Sequence, residues 1–543
     1  MRTTKMKKAI SNVRLFLAPI LAVALLLTAT AHAAAPGVKG TSFGLAASAA
    51  FISQPDGSLV YSWGYACSSG GTAAPFGPAT GSACGGTMQI PGPTLIVTQG
   101  ATVTVTLTNN LPAAAGNTSI LFPGFDVTTS GGAAGLLTQE AAHGGTVSYT
   151  FTASTAGTHA YYSGTQGDLQ VEMGLYGAII VIPSAIPANC TSGLAASNLT
   201  AEGFWGETDF RLAAAAYNHP KACYDREYLF QFSEMDPRIH RQAEEQVVAT
   251  AAFCATAGDT RCQLEVATEP YHPAYYLING RSMPDDMDPN YAAEYPHQPY
   301  NGNPHMHPGE QVLLRIIGQG RWQHPFHEHG NHVRILARDG NLIVSQSDPV
   351  NSLGGPLLFT TTTTPGVAMD GIFYWTGRGL NWDPYGHKPA SRDPLAKLPC
   401  TPDANGYNTG APTAINYFEW CQDHNKPVQT APFGDVADGG PVTLPDANIF
   451  TNGAWYGGSP YLGPNATLRA TGCSAGAPAG SCGATGSTPP SGTIANPPAS
   501  EAGFAFMWHS HNEREITTNN IFPGGMMMMM LVDSREFQID ETN

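Results

Sequence analysis

Between residues 102 and 109 the chain reads TVTVTLTN, so Val103, Val105 and Leu107 alternate with threonines at a period of two. Only an extended strand puts every second side chain on one face, which fixes a strand with one buried side and one hydroxyl-lined side. Residues 145–153 (GTVSYTFTA) alternate in the same way, and residues 174–182 (GLYGAIIVI) form a continuous apolar run suited to a core strand. Further strand patterns begin at Tyr228, Tyr275, Gln311 and Phe504, the last reaching His511 and leading through Gly524-Gly525 into the apolar run Met526 to Val532. One short helix is expected around Arg241 to Ala252. With 61 glycines, 43 prolines and only 12% charged residues, the composition favours short strands joined by turns over long helices. The expected fold is all-β, with two β-sandwich domains at residues 34–185 and 224–543 joined by a linker at 186–223. A long loop-rich insertion is expected at about 380–500, where Gly, Pro, Ser, Ala and Asn crowd together and periodicity fades.

The first 33 residues read as an export signal. Arg2, Lys5, Lys7, Lys8 and Arg14 precede or flank the apolar run Leu15 to Leu27, and Ala31-His32-Ala33 has the small-residue pattern of a cleavage site. No other stretch approaches the roughly 20 apolar residues that span a bilayer, so no transmembrane anchor is expected after cleavage. The destination is expected to be the periplasm, the outer surface or the medium. Net charge is −16, which leaves no electrostatic case for binding nucleic acid or anionic lipid. All ten cysteines follow the leader, and an even number outside the reducing cytosol points to disulfides. Pairing by proximity gives Cys67 with Cys84, Cys254 with Cys262, Cys400 with Cys421 and Cys473 with Cys482, leaving Cys190 for Cys223.

Two groups stand out among the 17 histidines: His324-Pro-Phe-His327-Glu-His329-Gly and Trp508-His509-Ser510-His511. In a strand, His327 and His329 share a face, as do His509 and His511, and two such strands side by side would bring four imidazoles together. Imidazole suits copper or zinc. Histidines 305, 307, 332, 387 and 424 read as ordinary loop residues, and the run Met526 to Met530 as a core-filling strand rather than a thioether site for Cu(I).

These segments resemble the multicopper oxidases, whose His-Pro-x-His-x-His-Gly and His-Cys-His segments match the two groups above. The resemblance extends to Pro91-Gly-Pro-Thr-Leu, Thr118-Ser-Ile, Leu136-Leu-Thr-Gln, Gly157-Thr158 and Gly174-Leu-Tyr-Gly-Ala, and so covers most of the mature chain apart from the insertion. It implies cupredoxin-like Greek-key sandwich or barrel domains. It also implies a type 1 copper that passes electrons to a three-copper cluster where dioxygen is reduced to water.

Carried over residue by residue, the resemblance departs from that chemistry. The family's first His-x-His falls on Leu121 and Pro123, and its second on Tyr162 and Gly164, so those four cluster ligands are absent. His327, His329, His509 and His511 match cluster ligands that remain, and His324 matches a type 1 ligand. The type 1 cysteine position is Ser510, the second type 1 histidine falls on Glu515, and methionines resume only at Met526. A serine hydroxyl is a hard, neutral donor that cannot replace the thiolate of a blue-copper site. The expectation is therefore at most about one copper, mononuclear, with zinc as the alternative ion. Laccase-type four-electron chemistry is not expected, which leaves a residual oxidoreductase or a copper-binding protein. A competing expectation is a non-catalytic surface or assembly protein, including a homo-oligomer, that keeps only the scaffold. No His-Glu-x-x-His motif supports a metal-dependent hydrolase.

Overall fold

The computed structural model describes residues 35–73, 86–190, 214–307, 309–376, 399–410, 419–421, 458–461, 503–533 and 539. The expected export signal at residues 1–33 and most of the expected insertion at 380–500 lie outside these residues, as do Cys84, Cys473, Cys482, His387 and His424.

Strands dominate, as the alternation requires. In Thr102–Asn109 the residues Val103, Val105 and Leu107 are buried while the threonines between them are not. On the outer face Thr104 and Thr106 pair their hydroxyls with Thr150 (3.1 Å) and Ser148 (2.9 Å) of the antiparallel neighbour Thr146–Thr152. Burying each Val or Leu side chain of the inner face contributes about 1.5–3 kcal/mol. These strands belong to a nine-stranded sheet that includes the long strand Val38–Ser53 and the strands Leu95–Thr98, Gly157–Tyr162 and Tyr176–Ile182. The unbroken apolar run at 176–182 has a simple cause: it is covered on both sides. Ile179 and Val181 enter the first core, whereas Ala178 and Ile180 pack with Leu229, Ile317 and Ala368 from the second half of the chain.

That second half forms a seven-stranded and a six-stranded sheet. The seven-stranded sheet contains Arg226–Met235 parallel to Gln311–Gly318, which pairs antiparallel with Ala368–Tyr374. The six-stranded sheet contains His324–Glu328, Gly503–Ser510 and Met527–Asp533. The methionine run belongs to its core, where Met526, Met528 and Met530 are fully buried among Phe326, Phe506 and Trp508. Within the insertion, the described strand Gly458–Tyr461 adds to the edge of Gly503–Ser510. The fold class is all-β, with the expected helix at Pro237–Cys254. Asp236 caps this helix by accepting from the Arg238 amide (3.0 Å), and Pro237 opens it, the standard N-terminal chemistry. Its Ile239 and Ala243 pack into the first core.

Three of the expected disulfides are present, Cys190–Cys223, Cys254–Cys262 and Cys400–Cys421, and Cys67 is also disulfide-bonded. Among the described residues no helix is long and apolar enough to cross a membrane.

Candidate metal centre

Strands His324–Glu328 and Gly503–Ser510 lie side by side and antiparallel, with His327 directly opposite His509. The two flanking pairs are Phe326 with Ser510 and Glu328 with Trp508, so alternation sends the two kinds of side chain to opposite faces of the sheet. The His511 amide donates to the Pro325 carbonyl (2.8 Å) and the Trp508 indole to the His329 carbonyl (2.9 Å), which extends the pairing past the strand ends.

On one face the four expected imidazoles come together. Ring centroids lie 4.9 Å apart for His327 and His329, 5.6 Å for His327 and His509, and 4.8 Å for His327 and His511. His509 stands 5.1 Å from His329 and 5.6 Å from His511. His509 donates its Nδ1 proton to the Ser510 carbonyl (2.7 Å), which leaves Nε2 as its lone-pair nitrogen, 3.3 Å from His329 Nε2. Two nitrogens bound to one tetrahedral ion at about 2.0–2.1 Å are separated by roughly the same distance. His327 Nδ1 pairs with the Thr360 hydroxyl (2.7 Å). Burial, and then the charges that His511 and His509 would carry, push His327 down to about 4. Burial also lowers His509. The imidazoles at 327 and 509 are thus held in the neutral form that coordinates metals. His327, His329 and His509 are buried, whereas the His511 side chain is 49% exposed and opens the site to solvent. Among the described residues, no three His, Cys, Asp or Glu side chains meet the geometry of a ready-made metal site.

His324 sits on the other face, apart from the four rings. Its Nδ1 donates to Glu515 Oε2 (2.8 Å) and its Nε2 to Glu234 Oε2 (2.9 Å), with all three side chains essentially inaccessible. Burial works against its charge, but the hydrogen bonds and ion pairs with Glu234 and Glu515 outweigh it and push the ring up to about 9. In that state neither nitrogen has a lone pair to give. Glu515 is buried; besides His324 it accepts from the Ser510 hydroxyl. Glu513 is the solvated one, 3.9 Å from His511. His324 is therefore the centre of a carboxylate–imidazole–carboxylate bridge with Ser510 attached. Glu328 is also buried on this face, where burial holds its carboxyl well above the usual range while Oε1 accepts from the Thr361 hydroxyl (2.6 Å).

Glu234 was not a candidate in the sequence. It stands 90 residues before His324, on Arg226–Met235, and no spacing rule links the two. His305 and His307, read as loop residues, are buried, with His305 in the short strand His305–Met306. In the first half, Leu121 and Tyr162 are bridged backbone to backbone (2.8 Å), and a Cβ on Gly164 would lie 2.7 Å from Leu121 Cγ. The segments around Leu121 and Tyr162 thus run side by side.

Residues 72–185 match a family model described as multicopper oxidase. Similar solved structures include a blue copper oxidase from Nitrosomonas europaea (14% identity, covering 90% of this chain and 85% of that one, TM-score 0.41). A copper nitrite reductase from the same organism shares 17% identity over 62% of this chain and 85% of its own (TM-score 0.36). A laccase from Botrytis aclada shares 18% over 62% and 47% (TM-score 0.34). No curated protein matches the chain. The family match thus covers residues 72–185, and the His-Pro-x-His-x-His-Gly strand that resembles the same family lies outside it.

Proposed function

We propose that this is an exported copper-binding protein that holds about one ion through His327, His329, His509 and His511 and does not carry out four-electron dioxygen reduction. The observation behind this reading is the direct opposition of His327 and His509, which gathers four rings on one sheet face with one pair of nitrogens already 3.3 Å apart. The half-exposed His511 is the ring with most freedom to turn toward an ion held by the other three. A single Cu(II) bound there would supply one-electron redox or Lewis-acid chemistry, and Zn(II) only the latter. The donor set does not extend to a type 1 ion, because Ser510 brings no thiolate and His324 is engaged at both nitrogens. Nor does it extend to three ions, since four family ligands are replaced by Leu121, Pro123, Tyr162 and Gly164.

Elemental analysis and electron paramagnetic resonance of the leader-free protein after copper loading test this reading. About one copper per chain with no blue absorption band is expected, and three or four coppers with such a band would refute it. His509→Ala combined with His511→Ala should abolish loading. A chain whose thermal stability ignores both copper and chelator would instead support the scaffold-only alternative, because a ion bound to the native state raises its stability.

A further inference from the structure

The two strands that carry the four histidines share only three residue pairs, and Gly503–Ser510 ends one residue before His511. Something beyond this short ladder must fix how the two His-x-His pairs face each other. The face opposite the imidazoles supplies it. Ser510, between His509 and His511, donates its hydroxyl to Glu515 Oε2, and the same oxygen accepts from His324 Nδ1 (2.8 Å), three residues before His327. The turn between Ser510 and Glu515 is closed on the same groups: the Asn512 amide donates to Ser510 Oγ (3.2 Å) and the Asn512 side chain to Glu515 Oε1 (2.9 Å). At the far end, His324 Nε2 is held by Glu234 Oε2 (2.9 Å). Glu234 is itself fixed through Oε1, which accepts from the Arg321 and Trp322 amides (2.7 and 2.9 Å). His324, Glu234, Ser510 and Glu515 are all at most 2% exposed, so water does not compete for these bonds.

We infer that Glu515 is a positioning residue for the four-histidine site: by joining Ser510 of one histidine strand to His324 of the other, it sets the separation and tilt of the two His-x-His pairs. The inference rests on the proposed function for its relevance to metal, but it concerns the placement of imidazoles and holds for the metal-free protein as well. Charge-assisted hydrogen bonds to a buried carboxylate are the stronger class, and this carboxylate bonds to groups on both strands. It acts at a distance, because neither Glu515 nor Ser510 lies on the imidazole face.

The test uses Glu515→Gln, which keeps the shape but removes the charge and turns one acceptor into a donor facing His324. Ser510→Ala, which deletes only the hydroxyl, is the second variant should the first fail to fold. Tyr217→Phe, which breaks a buried hydrogen bond to Asp370 away from the bridge, controls for lost stability alone. Copper affinity by competition titration is expected to fall at least about tenfold in Glu515→Gln and severalfold in Ser510→Ala, with altered copper hyperfine splitting in both, while Tyr217→Phe matches the parent. In the metal-free protein, nitrogen–proton spectra of the histidine rings should show two strongly hydrogen-bonded His324 protons in the parent. In Glu515→Gln one of these should move, together with the ring signals of His509 and His511. Unchanged affinity and hyperfine splitting in a folded Glu515→Gln would overturn the positioning role and leave the copper proposal standing. If the parent takes up no copper, the copper proposal fails, and the metal-free spectra decide: moved His509 and His511 signals uphold the positioning role, and unmoved ones reject it.

Discussion

Replacing Arg315 by methionine is expected to lower the unfolding free energy by about 3–5 kcal/mol. Arg315 lies on Gln311–Gly318 and is 2% exposed. Its Nε donates to Glu227 Oε2 (2.7 Å), and its Nη1 to the Thr158 hydroxyl (3.0 Å) and Asp370 Oδ1 (3.4 Å). Asp370 also accepts from the Thr158 hydroxyl (2.6 Å), the Thr158 amide (3.1 Å) and the Tyr217 hydroxyl. Thr158 belongs to the nine-stranded sheet and Asp370 to the seven-stranded one, so the guanidinium neutralises two buried carboxylates at the seam between the halves of the chain. The seam is tight: Gly157 has φ +109°, and a Cβ there would sit 2.1 Å from the Tyr217 hydroxyl oxygen. Methionine fills most of the arginine stem's volume, so the loss measured is that of charge pairing. Both carboxylates would then remain buried without their cation, and this is the costly way to break such a pair. Urea unfolding of the leader-free protein at neutral pH measures the effect. A change below about 1 kcal/mol would show that water reaches the carboxylates and that the seam is not dry.

The second large effect is on pH. His324 titrates near 9 in the folded chain and near its ordinary 6.5 when unfolded. A group whose folded value is raised stabilises fully below its unfolded value, and that stability is lost as pH climbs through the folded one. At 1.36 kcal/mol for each tenfold change, the gap between 6.5 and about 9 is worth about 3 kcal/mol, lost between pH 6.5 and 9.5. His327 and His509 act with the opposite sign. Their folded values are depressed, so the unfolded chain binds protons more readily, and stability falls as pH drops below 6.5 toward 4. Urea midpoints in chelator should therefore peak between pH 6 and 7, and the alkaline fall should vanish in His324→Gln. A flat profile from 6.5 to 9.5 would mean that His324 is not an imidazolium between two carboxylates.

What the sequence made legible was whatever repeats locally. The alternation of Val103, Val105 and Leu107 foretold a strand and its buried face, and the i, i+2 spacing of His327 with His329 and of His509 with His511 foretold which rings share a side. The methionine run announced a core strand because five flexible apolar residues in succession have few other uses in an all-β chain. Burial of charge was not legible. Glu515 lies in the acidic, polar segment Asn512 to Thr518 and looks like a surface residue. Only its contacts with His324, 191 residues away, and with Ser510 take it inside. Glu234 and Arg315 lie in buried strands and their partners come from distant segments, so no periodicity marks them. His324 shows the same limit from the other side. Its motif pointed to a metal ligand, but its surroundings are set by two glutamates that the motif does not contain.

The bridge through His324 also bears on how the folded chain depends on its surroundings. The positive charge that joins Glu234 and Glu515 comes from a proton on His324, which water always supplies. Cohesion between the strand of His324 and the turn of Glu515 therefore needs no metal ion at that place.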